Sequence, residues 1–110
     1  MKTKPEIINR IEVLETGELL LGLEGEGRRD YQFVYRAAMG VYWDEERQGF
    51  KSTPMRTMSC SQWFRHIAAG VYGELGVKLT FGEHVTWSNV PEEEQAKIRR
   101  ENPLQEPIVD

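Results

Sequence analysis

Few residues in this chain have the type and spacing that chemistry requires. Cys60 stands between Ser59 and Ser61, at the start of a segment with helical periodicity, where the helix dipole would favour a thiolate nucleophile. A nucleophilic pair needs a base, but His66 lies six residues on, nearly two turns along the same helix, and the spacing places His84 beside neither. A small, buried or half-buried cysteine next to a capping serine is the weightier reading. A metal site would draw on His66, His84, Glu83 and Cys60, yet the chain has no HExxH, CxxC or HxH pattern, and no metal or cofactor is expected. The carboxylates of Asp44, Glu45 and Glu46, and of Glu92, Glu93 and Glu94, read as solvated turn and helix-start acids, because catalytic pairs usually come from separate segments in apolar surroundings. Gly25-Glu26-Gly27 lacks the Lys-Ser/Thr ending of a phosphate loop and carries acid where phosphate would approach.

The aromatic residues point further. Six of the eleven fall between Tyr31 and Phe50, and Trp63 and Phe64 open the helix expected to lie over those strands. Most must be core, but Tyr and Trp carry a polar tip that needs a partner when buried, which suits them to pockets and interfaces. A cleft between sheet and helix, lined by Tyr35, Arg36, Tyr42, Trp43, Trp63 and His66, would hold a small organic ligand without catalysing a reaction. Two alternatives stay open. An acidic interaction or inhibitor protein would meet a basic partner through salt-sensitive association. A small hydrolase or isomerase would use His66 or His84 as general base and needs a carboxylate or hydroxyl within hydrogen-bond reach of it.

The elements that must position these residues follow from periodicity. Residues 6–14 alternate as a strand, with Ile7, Ile11 and Val13 on one face, although Ile8 and Leu14 blur the pattern. Thr16-Gly17 turns the chain into a second strand through Leu19, Leu21 and Leu23, forming a hairpin. Residues 24–30 are a polar, glycine-rich loop, and a third strand is expected from Tyr31 to Ala38. Val41-Tyr42-Trp43 and Phe50-Lys51-Ser52 predict a second hairpin. From Ser59 or Ser61 the period becomes helical, with Trp63, Phe64, Ile67, Ala68, Val71, Tyr72 and Leu75 on one side, and the helix ends at Gly76. Its other side carries Ala69, Gly70 and Gly73, which invites close packing. Val77, Leu79 and Phe81 predict a strand stopping at Gly82, followed by a longer loop or no hairpin, since a tight Gly82-Glu83 turn would mismatch the apolar faces. Pro91 opens a last surface helix whose acids lie at its start and bases at its end, and 102–110 forms an extended or mobile tail.

The 110-residue length fits one α+β domain, 1–110: an antiparallel sheet of about five strands, one main helix packed on it and a short C-terminal helix. A net charge of -4, with basic residues adjacent only in the pairs Arg28-Arg29 and Arg99-Arg100, each close to acids, argues against nucleic-acid binding. A single cysteine allows no internal disulfide, and neither a signal peptide nor a membrane-spanning run is predicted, so the expected compartment is the cytoplasm. The second sheet face carries Ile8, Leu14, Leu20 and Val34; a copy of the chain is expected to cover it, or the small-residue side of the helix, in a homo-oligomer.

The run Tyr31-Gln32-Phe33-Val34-Tyr35-Arg36-Ala37-Ala38-Met39-Gly40-Val41-Tyr42-Trp43-Asp44, with Ser61-Gln62-Trp63-Phe64-Arg65-His66-Ile67, resembles small proteins of unassigned function encoded on mobile integron gene cassettes. The resemblance implies an α+β fold, a tendency to form dimers or higher oligomers, and a cytoplasmic bacterial origin. It supplies no catalytic residues.

Overall fold

In the computed structural model, which describes residues 4–100, five strands form one mixed sheet in the order β3-β4-β2-β1-β5. The strands are β1 (Lys4–Val13), β2 (Leu19–Leu23), β3 (Val41–Asp44), β4 (Gly49–Ser52) and β5 (Val77–Ser88). Two helices accompany them, α1 (Cys60–Leu75) and α2 (Glu92–Arg100), with a 3-10 segment at Arg29–Arg36. The α+β class, the five strands, both hairpins and both helices match the sequence reading. Among the described residues no helix is long and apolar enough to cross a membrane. The predicted 102–110 tail lies outside the described residues.

Three expectations are corrected. The sheet is not wholly antiparallel: β1 pairs antiparallel with β2 but parallel with β5. Nor does β5 stop at Gly82. It continues along β1, bowing out between Phe81, which pairs Ile8, and Thr86, which pairs Arg10, so no turn is needed and Phe81 and Trp87 both reach the α1 side. The segment predicted as a third strand, Tyr31–Ala38, is the 3-10 turn instead. Its aromatic alternation conceals a second period: Tyr31, Val34 and Ala38 are the buried residues, whereas Tyr35, which a strand would place with Tyr31, is exposed.

A β-bulge explains the blurred alternation of β1. Pairing slips between Ile8 and Arg10 in both neighbouring ladders, so the extra residue, Asn9, brings Ile8 and Ile11 to the same face and turns Ile7 outward. Ile8, Ile11, Leu19, Leu21, Phe50, Val77 and Leu79 then line the core face and meet Phe64, Ile67 and Val71 of α1. Each such side chain, fully buried, contributes about 1.5–3 kcal/mol.

The opposite face is not the apolar surface expected. Ile8 and Val34 belong to the core, and Leu20, which does face this way, is already buried beside Gly49. Charges cross the face. The Arg10 guanidinium lies over Gly22, where an added Cβ would come within 2.5 Å of it, and donates to the Arg47 carbonyl at 2.6 Å. Lys51 bridges Asp44 at 3.2 Å and Glu18 at 3.7 Å. Ile7 and Tyr42 remain exposed among these charges.

Helix α1 begins where sequence placed it. The Ser59 hydroxyl accepts from the Gln62 N–H and the Gln62 side chain accepts from the Ser59 N–H, a reciprocal cap. Gly76 ends it in the left-handed region, at φ 67°. The small-residue side serves the chain's own packing in part: Gly70 sits against Ala38, where a Cβ would fall 2.3 Å from the Ala38 Cβ, while nothing stands within 4 Å of a Cβ at Gly73.

Candidate functional site

The glycine-rich loop enters the 3-10 segment beside the turn joining β3 to β4, and the two enclose a cleft of about 430 Å³ lined by Gly27, Arg28, Arg29, Gln32, Trp43 and Glu45. Trp43 is its aromatic wall. Alternation along β3 sends Trp43 to the core side and Tyr42 to the charged side. The indole is wedged edge-on against Tyr31 and Phe50, with ring centroids 5.2 and 4.9 Å away, and its N–H donates to Glu45 at 2.8 Å. Gly27 is required by that packing, since a Cβ there would meet the indole at 2.1 Å.

One residue clasps the two walls together. Gln48 accepts from the Gly27 N–H at 2.9 Å and donates to the Glu45 carbonyl at 2.7 Å, while its own carbonyl accepts from Leu23. Its backbone lies in the left-handed region, at φ 54°, a conformation that costs a non-glycine residue energy and that these three bonds offset.

Behind the cleft lies a buried polar pair. The Tyr31 hydroxyl donates to the Glu6 carboxylate, and both side chains are inside the protein. Burial pushes the Tyr31 phenol well above its ordinary value, and the hydrogen bond and negative charge of Glu6 push it the same way. Tyr31 is therefore a fixed donor, not a base. In front of it, the Arg28 guanidinium lies 5.4 Å from the Tyr31 ring centroid and 3.5 Å from the Asp30 carboxylate. Arg29 is exposed on the same rim. Two cations, a glutamate and an indole thus surround one opening, an arrangement suited to holding an anionic group while an apolar body rests on the ring.

Of the six residues predicted to share a pocket, only Trp43 lines this cleft. Tyr35 is 51% exposed, and Arg36 folds back over the Phe33 ring at 4.4 Å. Tyr42 stands among the charges of the open sheet face. Trp63 and His66 meet each other edge-on at 5.4 Å but belong to a different part of the molecule, at the start of α1. In the sequence the Arg28-Arg29 pair makes no patch by itself; its only signal is position, directly after the glycine that lets Trp43 approach.

The possible catalytic groups are differently engaged. The His66 Nε2 lies 3.0 Å from the Met39 carbonyl, a contact that makes this nitrogen a donor and occupies it. His84 is exposed on β5. Burial raises the Cys60 thiol above its ordinary value, and the Glu94 carboxylate adds to the rise, so the helix dipole does not produce a thiolate here. Among the described residues no group of three His, Cys, Asp or Glu side chains is placed to hold a metal.

Comparison with known proteins gives a consistent kinship. The profile of the family described as Integron Cassette Protein Hfx_Cass5 matches residues 16–86, which include both segments that carried the resemblance. One solved structure, from the mobile metagenome of North West Arm Sewage Outfall and described by the same name, is 36% identical, with 91% of this chain and 95% of that chain covered and a TM-score of 0.39. The kinship rests on sequence, since so loose a superposition carries no argument about the site. No curated protein matches the chain.

Proposed function

We propose, for a chain that belongs to the Hfx_Cass5 family of integron cassette proteins, a non-catalytic role: binding a small organic anion in the Trp43 cleft. The observation that carries this reading is the meeting of Arg28 and Arg29 with an indole whose position is fixed on three sides, by Tyr31, Phe50 and Gly27. A preorganised aromatic wall lowers the ordering cost of binding, and guanidinium forks match carboxylate or phosphate geometry.

A thermal-shift screen against organic carboxylates, phosphates, neutral analogues and organic cations tests it. A ligand at a hundred times its dissociation constant adds about 2.7 kcal/mol of stability, which moves the midpoint of a domain this size by roughly ten degrees. The expected result is a shift from anions alone, lost in Arg29→Gln and reduced in Trp43→Phe. Equal shifts from neutral analogues, or silence across the anions, would overturn it.

Exposed apolar side chains favour a second reading, self-association. Met39 is 87% exposed, and Tyr35 and Tyr72 are half exposed, on the 3-10 segment, its outlet and the adjoining α1. In this reading a homo-oligomer in the bacterial cytoplasm buries them. Light scattering at micromolar concentration decides: a monomer mass would remove it.

A further inference from the structure

A second opening lies away from the Trp43 cleft, where the chain leaves β4 and approaches α1. It has a volume of about 260 Å³ and is lined by Thr53, Pro54, Arg56, Thr57, Met58 and Trp63. Segment 53–59 has neither strand nor helix. Its described backbone ties to the body of the protein are the Thr53 N–H to the Gly40 carbonyl and the Met55 N–H to the Gly17 carbonyl, both at 2.9 Å, and at its end Ser59, whose carbonyl accepts from the Trp63 N–H at 2.9 Å and whose N–H donates to the Gln62 side chain at 2.8 Å.

Trp63 is the wall contributed by α1. It is more than nine-tenths buried, yet its indole N–H meets no acceptor among the described residues. Buried donors are almost always paired, and one left unpaired carries the cost of a hydrogen bond given up to water and not recovered. The contrast with Trp43 is direct, since that indole is satisfied by Glu45. Across the opening, Arg56 is exposed and makes no ion pair among the described residues. Thr53 and Thr57 add hydroxyls, and Pro54 and Met58 add apolar surface.

We propose that this opening is a second ligand site, for a small monocarboxylate with an apolar body. One carboxylate oxygen accepts from the Trp63 indole N–H and the other from the Arg56 guanidinium, while the apolar body lies against Pro54 and Met58. The indole nitrogen is buried, so the carboxylate reaches it only by displacing the groups that cover it. The site depends on nothing in the Trp43 cleft.

The test uses the full chain labelled with nitrogen-15 at tryptophan and titrated with benzoate. The three indole resonances report separately: Trp43→Phe and Trp87→Phe assign two of them, and Trp63 follows by elimination even where Trp63→Phe fails to fold. The expected result is a saturable movement of the Trp63 resonance, with the apparent dissociation constant raised about tenfold or more in Arg56→Gln, the loss of one charge-assisted hydrogen bond. A Trp63 resonance that stays still, drifts without saturating, or moves identically in Arg56→Gln overturns the proposal. Movement of the Trp43 resonance alone would also overturn it, while leaving the reading of the first cleft intact.

Discussion

Tyr31 shows how much one residue decides. Its ring closes a triangle with Trp43 and Phe50, its hydroxyl satisfies a buried carboxylate from β1, and its face receives Arg28. Tyr31→Phe keeps the ring and leaves Glu6 buried without that donor, so urea unfolding is expected to show a loss of about 1–3 kcal/mol. The same residue sets an alkaline limit. Because the folded phenol holds its proton at a pH where the unfolded phenol has released it, the unfolded state binds fewer protons above about pH 10, and stability falls as pH rises from there. Stability measured from pH 8 upward should decline in the native sequence and more shallowly in Tyr31→Phe; parallel curves would contradict this account.

Packing between elements is tested most sharply at two glycines of α1 three residues apart. Gly70→Ala drives a Cβ into Ala38 and must push the 3-10 outlet off the helix, at a cost of about 1–3 kcal/mol. Gly73→Ala enters open space and should stabilise the helix by up to about 1 kcal/mol. Thermal melts of the pair check both signs. The two helices are joined where the Ser61 N–H, which has no intrahelical partner in the first turn of α1, donates a hydrogen bond to the Glu94 carboxylate of α2 at 2.9 Å. That hydrogen bond, outweighing burial and helped by Lys97, holds the Glu94 carboxyl below its ordinary value. The stability it contributes is present above about pH 4 and is lost as pH falls through the lowered value. Glu94→Gln should therefore flatten the acid limb of a stability-pH curve; an unchanged acid limb would show that this bond does not hold the helices together.

At the scale of the whole molecule, the parallel pairing of β1 with β5 joins segments some seventy residues apart, and the sheet cannot close until that loop does. Chains dominated by such pairings fold in milliseconds to seconds, so stopped-flow refolding in the microsecond range would contradict the topology. The sequence by itself determined the α+β class, both hairpins, the two helices with the start and stop of α1, and the family, because these rest on local period, caps, turn residues and aromatic spacing. It could not settle whether Tyr31–Ala38 was strand or turn, since its pattern fits both periods and the choice depends on Glu6 and Phe50, distant in sequence. The bulge at Asn9 likewise exchanged Ile7 for Ile8, and the charged sheet face arose from register. The Trp43 cleft was half legible: the indole stood out, but the arginines facing it looked like loop charges until the fold brought Gly27 against the ring. Only tertiary structure decided that, because a site is a matter of which distant side chains converge, and local sequence records periods and caps, not convergence.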